Sequence, residues 1–294
     1  MLYPILQDGK WGYIDKTGKI IINPQFDYAW LFNEGLAKVR YGEKYGFIDT
    51  TGKIVINPQF SNALPFNDGL AKVRLGEKYG FIDKKGKIVI NPQFDMIWGE
   101  FSEGLITVLV NLYGYIDRTG KYVIKPQFSS AESFSEGLAA VSIDGHEGQR
   151  YGFIDRTGKY VINPQFSNAR SFSEGLAVVS IGGKGLPLIG EIWGYIDRTG
   201  KYVINPQFSD ASSFSGGLAA VSIGGDGITG KVEKWGYIDK RGQTVINFHF
   251  DYGSLFHEGL ARVRLRDKLG YIDKTGEFIW QSSEISDCDF LFDQ

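Results

Sequence analysis

The sequence predicts an all-β protein of eight tandem units, each of about three short strands, arranged as a propeller-like closed ring; an open β-solenoid is the alternative. Three observations predict it. The phrase aromatic-Gly-aromatic-Ile-Asp recurs with its glycine at 12, 46, 80, 114, 152, 194, 236 and 270, the last copy carrying Leu269 in the first aromatic place. A fixed period of this size marks stacked or radial repeats. Most copies run into an Asp-x-Thr-Gly turn, and glycine (39 residues) and Phe plus Tyr (21 + 16 = 37) are abundant, as many short strands joined by turns require.

Within the first unit, Trp11 to Asp15 reads as the first strand. Asp15-Lys16-Thr17-Gly18 follows as a type I turn closing into a glycine bulge, with Asp accepting backbone N–H bonds and Gly taking the positive φ. Lys19 to Asn23 is the second strand. Pro24 offers no N–H to a ladder, so Asn-Pro-Gln-Phe is expected to leave the sheet. Phe26 and Phe32 flank the connector Asp27 to Glu34 and read as anchors to the core. The third strand is Leu36 to Tyr41, with Ala37 and Val39 on one face and Lys38 and Arg40 on the other, outward, face.

The ends bear on closure. Tyr3 to Lys10 occupies the place that precedes each later unit's first strand, and so supplies a third strand with nothing before it. Leu269 to Trp280 supplies first and second strands without an evident third. Together they are expected to complete one split unit, the arrangement a closed ring needs to remove its sheet edges. A solenoid would instead want atypical caps, and the acidic, non-repeat segment 282–294 suits that role. Residues 1–294 are thus read as a single repeat array.

The phrase Lys10-Trp11-Gly12-Tyr13-Ile14-Asp15, with Asn23-Pro24-Gln25-Phe26, Glu34-Gly35-Leu36-Ala37 and their later copies, resembles the WG repeat, also called the KWG repeat, of bacterial proteins. The resemblance spans Gly9 to about Trp280. It implies an all-β interaction module without a shared catalytic motif, and it carries over no site residue, cofactor or partner.

A formal charge of −2 gives no global pull towards nucleic acid or anionic membrane. One cysteine, Cys288, makes no internal disulfide, and Met1-Leu2-Tyr3-Pro4 has neither the basic start nor the apolar run of a signal peptide; both favour a cytoplasmic location. No stretch reads as a membrane span. His146, His249 and His257 share no ligand spacing, so neither a metal site nor a histidine-based catalytic set is expected. The eight repeated aspartates sit before Lys/Arg/Thr and a glycine as turn residues, and the glutamates before Gly-Leu read as acceptors of local backbone bonds.

The sequence therefore points to a non-enzymatic scaffold, without cofactor, that binds a protein or peptide. Insertions at 144–150, 182–192 and 224–234 lengthen three successive loops, and Leu186, Leu188 and Ile189 form an apolar run in one of them. In the same units the third strand carries small residues, so Ala140, Val178 and Ala220 are expected to floor a contact patch. Units one, two and seven instead carry Lys38 and Arg40, Lys72 and Arg74, Arg262 and Arg264, a basic arc read as a solvated face or a site for an acidic partner. Trp30 and Trp98 fall in connectors, where they are candidates for exposed contacts and for stacking on a carbohydrate or cell-envelope ligand.

Overall fold

The computed structural model describes residues 1–145, 148–182, 190–224 and 232–282. All regular structure among them is β-strand, organised in eight small antiparallel sheets. The chain forms two compact units, Met1–Pro126 and Gln127–Gln294.

In the N-terminal unit the first sheet holds β1 (Tyr3–Gln7), β2 (Lys10–Ile14) and β3 (Ile20–Phe26). The second holds β4 (Tyr28–Asn33), β5 (Leu36–Tyr41), β6 (Lys44–Asp49) and β7 (Ile54–Phe60). The third holds β8 (Asn62–Ala63), β9 (Leu70–Leu75), β10 (Lys78–Asp83) and β11 (Ile88–Phe94). β12 (Met96–Ser102), β13 (Leu105–Val110), β14 (Leu112–Asp117) and β15 (Tyr122–Phe128) make the fourth, in which the boundary between the units falls. The C-terminal unit repeats the plan in four more sheets, from Ser130–Ala131 to Phe278–Gln281. Strands pair in sequence order within every sheet, and the seven four-stranded ones are meanders of the kind that forms a propeller blade.

The hairpin turn forms as its residues dictate. Asp15 Oδ1 accepts from Thr17 N (2.8 Å), Thr17 Oγ1 (2.6 Å) and Lys19 N (3.2 Å), and Gly18 takes φ 85°. Those bonds favour the ionised carboxylate and hold Asp15 below its ordinary pKa, the Thr17 hydroxyl contributing most.

Three expectations are corrected. First, the sheet does not coincide with the sequence repeat. It takes the connector and third strand of one repeat and the first two strands of the next, so the connector is itself a strand and each full sheet has four. Second, each end is paired within its own sheet. β1 pairs with β2 through a two-residue turn, Asp8 and Gly9 both at positive φ, and Lys268–Ile272 and Phe278–Gln281 pair with the preceding Ala261–Leu265. A tight hairpin brings two strands together at far lower loop entropy than a pairing of distant chain ends. Third, Asn-Pro-Gln-Phe stays in the sheet. β3 runs through Pro24 to Phe26, as a proline can at an edge strand and a bulge. The bulge lies between the pairs Trp11↔Phe26 and Tyr13↔Ile22.

That bulge explains the glycine of the phrase. A Cβ on Gly12 would lie 2.5 Å from Ile22 O and 2.6 Å from Pro24 N, and the equivalents from Gly46 to Gly194 are as tightly covered. Each sheet then has a thick aromatic face and a thin Ala/Val face, and within each unit the thick face of one sheet packs on the thin face of the following one. Phe47, Ile56 and Phe60 of the second sheet meet Ala63, Ala71 and Val73 of the third; in the C-terminal unit Tyr195, Ile204 and Phe208 meet Ala211, Ala219 and Val221 in the same way. The connector anchors Phe66, Phe134, Phe172, Phe214 and Phe256 are buried.

Candidate binding site in the N-terminal unit

The third strands of repeats four to six are interior strands with both faces packed, and this overturns their reading as a floor open to partners. Ala140, Val178 and Ala220 are 0% exposed and belong to the clusters between neighbouring sheets. They are core, and no partner can rest on them. The loop residues Leu186, Leu188 and Ile189 lie outside the described residues, as do His146 and Cys288.

The same strand position in the N-terminal unit holds Lys38 and Lys72, and two residues on come Arg40 and Arg74. Lys38 is only 7% exposed. Its Nζ donates to Ala63 O of the next sheet (2.9 Å) and stands 3.7 Å above the Trp30 ring centroid. Lys72 Nζ donates to Ile97 O (3.0 Å) and Gly99 O (3.3 Å). Burial pulls both ammonium groups below the ordinary lysine pKa, Glu100 partly opposing this at Lys72. Arg40 and Arg74 are half-buried; the Nε of each is buried and makes no hydrogen bond. Among the described residues none of these four cations forms an ion pair. Asp27 lies within electrostatic range of Arg40, but its carboxylate is already held by Lys10 Nζ and Gly42 N, both at 2.6 Å.

Register sets aromatic rings beside these cations. Tyr28, Arg40 and Tyr45 are cross-strand partners in the second sheet, as are Asn62, Arg74 and Tyr79 in the third. Directly opposed residues share a face. Ring centroids step from Trp11 to Tyr28 (4.9 Å), from Tyr28 to Trp30 (4.4 Å) and from Trp30 to Tyr45 (5.8 Å). Arg40 Cζ lies 6.0 Å from the Tyr28 ring and Arg74 Cζ 5.6 Å from the Tyr79 ring, within cation–π range. Tyr28 is 39% exposed. The result is a partly open row of rings and guanidinium groups across neighbouring sheets.

Of the two connector tryptophans, Trp98 is 51% exposed, and its Nε1 donates to Tyr113 Oη at 3.3 Å. Trp30 is half-buried under the contacts just described. Tyr28 and Tyr45, which complete the row, were not singled out by sequence reasoning. The Gly42-Glu43 hairpin was the available signal, since its two-residue turn puts Arg40 opposite Tyr45. The glutamates before Gly-Leu accept backbone bonds, but between sheets: Gly69 N donates to Glu34 (3.0 Å), Gly175 N to Glu136 (3.1 Å) and Gly217 N to Glu174 (3.1 Å).

Comparison with curated proteins returns no match. Among solved structures, Hsv2p of Kluyveromyces lactis aligns at 10% identity over 85% of this chain and 96% of its own, with a TM-score of 0.46. A eukaryotic initiation factor aligns at 11% over 96% and 95% (TM-score 0.43), and the dihydro-heme d1 dehydrogenase NirN at 13% over 95% and 72% (TM-score 0.44). Likeness at these scores carries no inference about this chain. The WG containing repeat, by contrast, matches seven times, at residues 11–45, 45–79, 79–111, 113–145, 151–184, 193–225 and 235–268. These matches cover well over half of the sequence, and the chain belongs to the WG-repeat family.

Proposed function

We propose that this chain is a non-enzymatic binding scaffold that takes an acidic, extended protein or peptide segment on the aromatic–basic row of its N-terminal unit. One observation carries the reading. Among the described residues Lys38, Arg40, Lys72 and Arg74 occupy buried or half-buried positions without ion pairs, whereas three sheets of the C-terminal unit fill the equivalent positions with Ala140, Ser142, Val178, Ser180, Ala220 and Ser222, its last sheet alone carrying Arg262 and Arg264. The fold is served by small neutral residues there. Lys38 and Lys72 spend their ammonium groups on carbonyls of the next sheet, but the buried Nε atoms of Arg40 and Arg74 have no acceptor, and a desolvated cation left so is costly, so the two arginines serve something other than packing. A carboxylate would give the guanidinium groups their missing acceptor, and the rings beside them would take the apolar parts of the same segment. Stacked sheets lie about 10 Å apart, so Arg40 and Arg74 suit acidic residues a few positions apart on an extended strand.

The test is panning of a random peptide library on the intact chain, followed by affinity measurement on Arg40→Ser/Arg74→Ser, which carries the serine of the other unit. Enrichment of Asp and Glu, and a loss of roughly 30-fold in the variant, are expected from removing charge-assisted bonds. Enriched peptides without acidic bias, or equal affinity for both proteins, would reject the reading. A carbohydrate ligand is the second reading, favoured by the exposed ring of Trp98. A glycan that binds both proteins equally and is lost in Trp98→Ala would establish it instead.

A further inference from the structure

We infer a second, separate ligand site in the C-terminal unit: a concavity of about 570 Å³ that takes a small phosphomonoester. It lies where the seventh repeat departs from the others. Gln of the Asn-Pro-Gln-Phe phrase is replaced by His249, and the Gly-Glu of the hairpins Gly42-Glu43 and Gly76-Glu77 is replaced by Arg266-Asp267. All three of these residues line the concavity, with Lys234, Lys268 and Gln281 around them.

The replacement at 266 works against the backbone. Gly42 and Gly76 take φ 58° and 61° at the first position of this turn, and Arg266 takes φ 56°. Glycine is the residue that conformation favours, so the arginine is held in a strained turn that the fold would form more readily without it. The turn is pinned by Asp251, which accepts from Arg266 N and from Lys234 Nζ, both at 2.5 Å. Asp251 thereby neutralises Lys234, and among the described residues the Arg266 guanidinium has no ion-pair partner.

Lys268 is a second cation without an ion pair among the described residues. Its equivalents Lys10, Lys78 and Lys234 each pair with an aspartate 17 residues further on, at 27, 95 and 251. The residue 17 beyond Lys268 is Ile285, as it is Ser61 beyond Lys44, so this aspartate is missing from the sequence. His249 retains the backbone bond made by the glutamines it replaces. Its Nδ1 meets Asn247 O at 2.7 Å, as Gln25 Nε2 meets Asn23 O at 3.2 Å. Facing a carbonyl oxygen, Nδ1 carries the proton, which leaves Nε2 to accept from a ligand O–H, such as the protonated oxygen of a phosphomonoester monoanion.

A planar guanidinium, an ammonium and an imidazole around one hollow match the oxygens of a phosphate. Asp267 and Gln281 on the same wall suit ligand hydroxyls, and Leu265 offers an apolar contact. The volume exceeds that of bare phosphate and falls in the range of small-molecule sites, so the anion is expected to carry an organic group.

The experiment is a titration of the intact chain with phenyl phosphate and, separately, inorganic phosphate, followed by ³¹P NMR. Arg266→Gly and His249→Gln are measured beside it; each restores the residue of the other repeats, so folding is preserved. Saturable binding of phenyl phosphate is expected, weakened about tenfold or more in each variant, with the thermal midpoint of Arg266→Gly equal to or above that of the parent. Inorganic phosphate is expected to bind more weakly than the ester. No binding of phenyl phosphate up to about 10 mM, a range that would reveal even millimolar affinity, would overturn the site. So would unchanged binding by Arg266→Gly; equal binding of the two probes would overturn the ester assignment.

Discussion

Replacing Gly46 by alanine adds one carbon atom to the thin face of β6, and the structure fixes what that atom meets. Its Cβ would stand 2.5 Å from Ile56 O, 2.7 Å from Pro58 N and 3.0 Å from Asn57 C. All three are backbone atoms, so no side-chain rotation relieves the overlap. The second strand must move away by about half an ångström or more, yet Ile56 and Phe60 on either side of the bulge are buried against the third sheet. Overpacking of this kind costs typically 1–3 kcal/mol and at times more. Stiffening of the unfolded chain returns about 0.4–1 kcal/mol. A net loss of about 1–2 kcal/mol is therefore expected, read from urea unfolding of the intact chain. Gly190→Ala is the control, because among the described residues nothing lies within 4 Å of its Cβ, and it should fall within about 0.5 kcal/mol of the parent. If Gly46→Ala unfolds at the same urea concentration as Gly190→Ala, the covering of the phrase glycine by the bulge is not what makes glycine necessary there.

Other outcomes follow from the same geometry. Tyr195→Phe removes the hydroxyl that donates to Ser212 O at 2.9 Å in the core of the C-terminal unit and leaves that carbonyl without this donor; a loss of about 1 kcal/mol is expected by the same unfolding measurement. The turn aspartates Asp15, Asp49, Asp117, Asp155, Asp197 and Asp273 are all held below the ordinary carboxylate pKa, first by the threonine hydroxyl two residues on. A depressed folded-state pKa gives stability that is full above the unfolded value, about 3.9, and lost as pH falls below it. The thermal midpoint should thus fall steadily from pH 5 to pH 3, and a flat profile would contradict the role of these carboxylates. Glu174→Gln removes the charge that meets Lys240 Nζ at 3.1 Å; the pair is partly exposed, so its effect should stay below about 1 kcal/mol and vanish at high salt.

The repeat, its hairpin turn and its buried phenylalanines were legible because they depend on neighbours in sequence. Asp15 to Gly18 closes on itself, and Phe26 is apolar wherever the chain runs. What escaped was set by neighbours in space. Lys38 and Arg40 look like the solvent side of an alternating strand, and only the presence of a sheet on each face shows that they are interior. Ala140, Val178 and Ala220 misled for the same reason: a small residue fits an exposed floor and a tight sheet-to-sheet contact equally well in sequence. The phrase glycine could be counted from sequence, but its cause is a backbone crossing supplied by residues about ten positions later. His249 and Arg266 were visible as departures from the repeat, while the concavity they share depends on two strands 17 residues apart in the chain.

The offset between repeat and sheet has a consequence for how such a chain can lengthen. Every four-stranded sheet is sewn from two adjacent copies of the phrase, so gain of one copy, wherever the breakpoints fall within the period, leaves no strand without its neighbours. The flanking copies surrender one half-sheet and receive another of the same kind. A copy number can therefore change by single steps without an intermediate that exposes a raw edge, while the residues on the third strand remain free to diverge sheet by sheet. The differing fillings at positions 38, 72, 140, 178 and 220 are the kind of record that mode of growth leaves.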